Sequence, residues 1–422
     1  MGIIKKDKIG IFSFFSGAGF LDLGFETTAG FETVFVNEFH APFMEIYKGA
    51  RKELDIQEPI FGHHVRDIED FLENHELQKL KSEIIEAKNK FALTGFIGGP
   101  PCPDFSVGGK NKGHEGENGK LSGTYINLIC ESKPDFFLFE NVKGLWRTKK
   151  HRQFYESLKS QLVENGYLVT EKLINAIEYG APQDRDRIIM IGFHRDFLDQ
   201  HGYDSNGTSF LWNFNWDKAR KYDSKQLFNL NWPKMEEFEP YRDRAHPIDL
   251  PLELTVEYWF EKNGVDFHPN RDMYFKPKAG LSKFKTIPEG DDKKKSYKRL
   301  HRWRYSPTAA YGNNEVHLHP YKPRRISVAE ALALQSLPKE YIIPQNITLT
   351  NAFKAIGNGV PYLAGKGLAI SLLNFIASIV PDFKPLLHGE LNSTKSSSIY
   401  KPIAQTEQLS VLEPEESRSY KN

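Results

Sequence analysis

Gly10-Ile11-Phe12-Ser13-Phe14-Phe15-Ser16-Gly17-Ala18-Gly19-Phe20-Leu21-Asp22-Leu23-Gly24 is the stretch that decides the fold. Residues 10–15 are an apolar, aromatic-rich run of strand length, and glycines then turn the chain straight into a helical pattern. Glycine at such a turn lets backbone approach a ligand closely, and strand, glycine turn and helix in that order are the layout of a nucleotide site. The spacing departs from the GxGxxG fingerprint, so the loop by itself also fits a plain strand-to-helix turn. About twenty residues on, Glu38 closes a second strand-like run, where a carboxylate can accept from both hydroxyls of a ribose. Asp67 could accept from an adenine amino group, although alone it reads as a helix N-cap.

Outward from that stretch, short β-rich runs alternate with amphipathic helical ones. Strands are predicted at 33–37, 91–97, 136–139, 168–174 and 187–193, with helices such as 76–90 and 151–164 between them. This alternation builds a Rossmann-like, doubly wound, mostly parallel α/β sheet, and ligands bind beyond the carboxyl ends of its strands. From 196 to 320 the alternation stops and Asn, Asp, Pro, Lys and aromatics dominate without a period, which predicts a second, smaller, irregular domain. Helical periodicity returns at 327–335 and 350–380, the latter interrupted by Gly357-Asn358-Gly359. The expected organisation is a first domain over 1–195, a second over 196–320, helices returning to the first over 321–385, and a tail over 386–422 too poor in apolar residues to repay ordering.

Composition narrows the class. With 39% hydrophobic and 26% charged residues and a mean hydropathy of −0.52, the 422-residue chain has ordinary globular usage. No stretch is read as a bilayer span and no signal segment opens the chain, so a cytoplasmic, nucleoid-associated protein that avoids membranes is expected, with a monomer as the default. The two cysteines, Cys102 and Cys130, form no CxxC pair and have no histidine at ligand spacing, so neither a disulfide framework nor a metal site is expected. Net charge is +1, but residues 276–304 hold eleven Lys or Arg against three acidic residues, with Phe284, Tyr297 and Trp303 interleaved. Such a run is either a solvated loop or a surface for phosphates.

Chemistry concentrates at the predicted strand ends. Phe96-Ile97-Gly98-Gly99-Pro100-Pro101-Cys102-Pro103 leaves a strand and sets a cysteine among prolines, a rigid loop suited to a positioned nucleophile. Cys130 sits in a helical run and reads as packing. Glu140-Asn141-Val142 emerges from the apolar run 136–139, where burial would raise the carboxyl pKa and let it donate a proton. In Gln183-Asp184-Arg185-Asp186-Arg187 the alternate residues Gln183, Arg185 and Arg187 point to one face, a pattern that also fits a surface ladder of ion pairs.

Taken together and in order, these segments resemble the C5-cytosine DNA methyltransferase family from Ile11 to about Leu372. Phe15-Ser16-Gly17-Ala18-Gly19 is similar to its cofactor loop, Pro101-Cys102 to its Pro-Cys nucleophile, and Glu140-Asn141-Val142 and Gln183-x-Arg185-x-Arg187 to two further blocks. Residues 121–134 keep the family spacing, Arg325-Ile326-Ser327 with Leu334-Gln335 fits the helix after the recognition region, and Gly357-Asn358-Gly359-Val360 is similar to the last block. Three positions depart from the pattern: Ser13-Phe14 for Asp-Leu, Gly359 for serine and Ala333 for arginine.

The resemblance implies a class I methyltransferase fold with a target-recognition domain, S-adenosyl-L-methionine as methyl donor and double-stranded DNA as partner. Phe15, Gly17, Gly19, Glu38, Asp67, Pro100, Leu121 and Asn358 would form the cofactor side. Cys102 would add to C6 of a flipped cytosine, with Glu140 relieving charge at N3, Arg185 assisting near O2 and Arg187 supporting the site. Basic residues of 276–304 would neutralise phosphates. Catalytic and recognition regions that fill nearly the whole chain suit a bacterial modification enzyme, with a cognate restriction endonuclease acting on the same site without a stable complex. Rival readings are methylation of transfer RNA, a non-catalytic DNA-binding relative, and a nicotinamide-dependent dehydrogenase. The last leaves Pro101-Cys102 unexplained.

Overall fold

The structure, a computed structural model, describes residues 7–101, 117–277, 280–294, 296–309, 311, 315–380 and 383, without the side chains of residues 117, 118 and 150. Seven strands form one sheet: β1 (Ile9–Phe14), β2 (Phe31–Asn37), β3 (His63–His64), β4 (Leu93–Gly98), β5 (Phe136–Val142), β6 (Tyr167–Asn175) and β7 (Asp186–His194). Their order is β3-β2-β1-β4-β5-β7-β6, with β7 antiparallel to β5 and β6 and the other pairs parallel. The doubly wound α/β sheet expected from the alternation is therefore formed. Two-residue β3 is too short to carry a periodic signal and was not legible in the sequence.

The described α-helices are α1 (Phe20–Glu26), α2 (Ala41–Glu53), α3 (Asn74–Lys90), α4 (Glu117–Ser132), α5 (Lys143–Arg147), α6 (Lys149–Glu164), α7 (Arg195–Gln200), α8 (Ser224–Phe228), α9 (Val256–Lys262), α10 (Leu281–Thr286), α11 (Val328–Leu334), α12 (Leu349–Asn358) and α13 (Tyr362–Ile379). Side chains alternate across the sheet. Ile9 and Ile11 of β1, with Phe136 and Leu138 of β5, pack in the layer of α1 and α13. Phe12, Phe14, Phe137 and Phe139 pack against α3, α4 and α6. Burial on both faces is why these strands read as nearly continuous apolar runs. A third core joins Ala18, Phe20 and Leu23 to α2, α9, α11 and α12.

Residues 349–379 are long and apolar enough, by length and composition, to cross a membrane. This corrects the expectation that no stretch could do so. The segment is broken between α12 and α13, and Leu368, Leu372, Phe375 and Ile376 are buried in the sheet core, which identifies a core helix pair. Between α7 and α11 regular structure shrinks to α8, α9, α10, a 3-10 turn at Leu252–Leu254 and isolated bridges among the described residues. The chain regains order at α11, where Ser327 and Glu330 form a reciprocal capping box. The carboxyl ends of β1, β2, β4 and β5 and the start of β7 then lie along one edge, since Val142 pairs with Arg187.

Candidate active site

The glycine turn after β1 is shaped by backbone geometry. Phe15, Gly17 and Gly19 have φ of 52°, 57° and 76°, the left-handed region that favours glycine. Nothing lies within 4 Å of the point where a Cβ on Gly17 would stand, so the loop backbone borders open space there. Glu38, just past β2, accepts from Gly17 N at 2.9 Å and from His40 N at 2.8 Å. Burial pushes its pKa up, against those two N–H groups, which favour the anion. Beside it, Ser16 Oγ is buried without a hydrogen-bond partner among the described residues. Phe15 meets Tyr125 of α4 edge-on at 5.9 Å.

Behind the loop stands a group that the sequence did not reveal. Arg51, in the last turn of α2, donates to Ala18 O at 3.2 Å and Gly19 O at 2.6 Å, pairs with Glu26 at 2.9 Å and stacks on Tyr47 at 3.7 Å. Tyr341 donates to Ala18 O at 2.6 Å. A Cβ on Gly19 would fall 2.3 Å from Arg51 Nη1, so glycine there is needed for this approach as well as for its φ. Asp22 lies in the same pocket, and burial pushes its carboxyl up to about 6. A basic residue in the last turn of a helix ordinarily reads as a solvated charge. The one available signal was the i, i+4 pair Tyr47 and Arg51.

On the other side of the edge, Glu140 is buried on β5 and its Oε1 lies 2.6 Å from Arg187 Nε, close in charge but without an aligned hydrogen bond. A Cβ on Gly99 would stand 2.5 Å from Glu140 Oε2, so the carboxylate rests against the backbone that leads out of β4. Pro100 is buried and Pro101 exposed at that exit, while Cys102 lies outside the described residues. Cys130 is buried in α4, and burial pushes its thiol up to about 11, which suits the packing role expected for it.

The two arginines part company. Arg185 is fully enclosed and donates to Ala309 O at 3.0 Å, Gly357 O at 2.9 Å and Asn358 O at 3.4 Å. Burial first, then the charge of Arg187, pulls its pKa down. Gln183 beside it accepts from Ala309 N at 3.2 Å and donates to Leu334 O at 3.1 Å. Arg185 therefore clamps the returning chain, and it is Arg187 that meets Glu140. Arg185 was expected to assist the base and Arg187 to support it; the fold encloses Arg185 among carbonyls and sets Arg187 beside Glu140. Arg185→Met should lower stability by about 2–4 kcal/mol, because carbonyls buried around the guanidinium lose their donor. Thermal unfolding checks this, and an unchanged midpoint would remove the clamp.

The remaining expected residues are placed as follows. Asp67 caps the 3-10 helix Ile68–Leu72, accepting from Glu69 N at 3.0 Å, so one of its oxygens is already engaged. Leu121 packs half-buried in the α4 layer. Asn358 is exposed at the end of α12, and a Cβ on the following Gly359 would strike Phe20 at 2.2 Å. The bulk of Phe20 accounts for glycine at that position.

Within the basic run, Arg299 and Arg302 are buried and committed. Arg299 donates to the carbonyls of Phe284, Ile287 and His319, and Arg302 pairs with Glu289 at 2.9 Å. Neither can meet a phosphate, which corrects that part of the expectation. Lys276, Lys283, Lys285, Lys293 and Lys294 are exposed. Among the described residues no cluster of His, Cys, Asp and Glu could hold a metal ion.

Comparisons with known proteins give the family and the fold. The family profile for C-5 cytosine-specific DNA methylase matches residues 9–373. Type II methyltransferase M.NmeDI of Neisseria meningitidis serogroup C is 57% identical over 372 residues, covering 88% of this chain and 85% of the relative. Type II methyltransferase M.MthTI of Methanothermobacter thermautotrophicus is 37% identical over 372 residues, 85% of this chain and 95% of that one. Among solved structures, one of a DNA modification methyltransferase encoded within an E. coli prophage superposes with a TM-score of 0.57 at 23% identity, covering 87% of this chain and 99% of its own, a likeness of fold.

Proposed function

Because this chain belongs to the C-5 cytosine-specific DNA methylase family, we propose that it is the methyltransferase of a type II restriction-modification system, with Cys102 as nucleophile and the Glu140–Arg187 pair as the base-activating group. The observation that carries the assignment of groups is Glu140, buried 2.6 Å from Arg187 and seated against Gly99, three residues before Cys102.

The target atom is hidden within the stacked duplex, so the cytosine must be flipped out, at a cost of about a few kcal/mol. The Cys102 thiolate adds to C6 of that base, which makes C5 nucleophilic. Glu140 meets N3 and relieves the charge that addition develops there, and Arg187, held by Glu140, donates to O2. After methyl transfer, loss of the C5 proton expels the thiolate and restores the ring. S-adenosyl-L-methionine, when bound, supplies the methyl group as an electrophile. Glu38 would hold its ribose and Phe15 its adenine, while Gly17, Gly19, Pro100, Leu121 and Asn358 would line the same space, with Asp67 near the adenine. The open space at Gly17 and the unpartnered Ser16 Oγ fit such a group. The irregular region 196–320 would be the target-recognition domain, acting as part of a monomer alongside a cognate endonuclease.

Transfer of labelled methyl to unmethylated duplex DNA, followed by base-resolution mapping of 5-methylcytosine, tests the assignment. Incorporation at a defined short sequence is expected; incorporation into transfer RNA alone, or none, would overturn it. Arg51 adds a second expectation. Arg51→Met should raise KM for S-adenosyl-L-methionine by about tenfold, the scale of one charge-assisted hydrogen bond, with kcat at saturation within about threefold. An equal fall in kcat at unchanged KM would show that the loop does not depend on this clamp.

A further inference from the structure

The irregular region presents two surfaces of opposite character. The segment 276–298 displays Lys276, Lys283, Lys285, Lys293 and Lys294, which suits a phosphate backbone. The segment 233–249 holds three basic residues against five acidic ones, a net charge of −2, and would be repelled by a run of phosphates. Its tip is nevertheless held firmly. Arg302 donates to Arg242 O at 2.7 Å while bound to Glu289 at 2.9 and 3.0 Å. Trp303 Nε1 donates to Arg244 O at 3.0 Å, Arg244 donates to Glu237 O at 2.8 Å, and Tyr241 N donates to Tyr321 O at 3.0 Å.

On this fixed backbone Tyr241 takes φ 59° and is 69% exposed. The Arg242 side chain is 56% exposed and pairs at the surface with Glu239, itself 40% exposed, and Asp243 beside it is exposed too. A left-handed conformation at a tyrosine persists only where surrounding structure holds it, as the bonds above do here. Between this tip and Trp303 lies a cleft of about 420 Å³. Three residues beyond Trp303, Ser306 N donates to Pro182 O at 2.8 Å and Ser306 O accepts from Asp184 N at 2.9 Å, directly before β7 and the Arg187–Glu140 pair. Three extended residues span at most about 10 Å, so Trp303, which lines the cleft, lies within that reach of Ser306.

A pinned tip that mixes arginine with carboxylates is the chemistry of base edges: guanidinium donates to guanine O6 and N7, and carboxylate accepts from cytosine N4. We propose that the loop 239–247 reads base edges of the target duplex, with Arg242 as a specificity-determining residue, while the exposed lysines of 276–298 hold the phosphates. This rests on the DNA-directed function proposed above.

The test uses the full chain and a pool of randomised duplexes, sequencing those retained by wild type, Arg242→Ala, and Lys293→Ala with Lys294→Ala, together with the salt dependence of binding. Arg242→Ala should lose discrimination at one or two base pairs by roughly 10- to 100-fold, with its salt slope unchanged. The double lysine variant should keep the sequence profile and show a shallower slope, by about 0.9 for each phosphate that is no longer neutralised. A retained pool that is the same for Arg242→Ala as for wild type overturns the inference. So does uniform weakening with a shallower slope in Arg242→Ala, or a wild-type pool without sequence preference. Wild type that selects a sequence in an Arg242-dependent way yet transfers no methyl group would support this reading and sink the reaction assigned above.

Discussion

Cys102→Ser is expected to reduce methyl incorporation into duplex DNA by at least roughly 10⁴-fold, to a rate indistinguishable from background. The reason is the nucleophile. An unperturbed thiol with a pKa near 8.5 is roughly one-tenth thiolate at pH 7.5, whereas a serine hydroxyl supplies essentially no anion at that pH. Cytosine C5 is not reactive enough to take a methyl group until a nucleophile has added at C6, so no slower route remains open. Binding should survive, because the groups assigned to cofactor and duplex lie on other residues. The measurement pairs labelled methyl incorporation with duplex affinity. Cys130→Ala is the internal control: its thiol is buried and pushed up to about 11, and its loss should change incorporation by no more than about threefold. Incorporation by Cys102→Ser within tenfold of wild type would end the covalent mechanism.

Glu140→Gln is expected to lower the single-turnover rate by roughly 10²- to 10⁴-fold, the range of positioned acid–base groups, which is about 2.7–5.5 kcal/mol of barrier. Glutamine keeps the volume that fits against Gly99 but exchanges a carboxylate oxygen for an amide, and the Arg187 guanidinium 2.6 Å away loses its charge partner. Two readouts separate chemistry from packing. If Glu140 acts on the base, the single-turnover rate falls while duplex affinity changes less than about tenfold and the thermal midpoint moves little. If Glu140 serves only to hold Arg187, Arg187→Met should reproduce the entire loss, and the double variant should add nothing to either single one.

Local sequence already carried the strand ends that matter. Phe14 to Gly19, Glu38 and Glu140 were legible because a strand buried on both faces is a short apolar run, and glycine, proline or a lone carboxylate stands out where it stops. Arg51 was not legible, since a basic residue near a helix end is ordinary until the fold sets the carbonyls of Ala18 and Gly19 within its reach. The same holds for Arg299 and Arg302. In the chain they add to a basic run; in the fold they are buried among carbonyls and Glu289, so the run is less basic at its surface than its composition suggests.

What the sequence by itself determined is the alternating α/β order, the glycine loop and the set of polar residues at strand ends. All of these are properties of neighbours in the chain, encoded by backbone sterics and by the two-residue period of a strand. Tertiary structure alone decided that β7 inserts antiparallel between β5 and β6, that Arg187 rather than Arg185 meets Glu140, and that Arg185 and Gln183 close on residues 309, 334 and 357. Those outcomes join groups up to 172 positions apart, and which of two identical guanidiniums is desolvated against carbonyls depends on what packs over it.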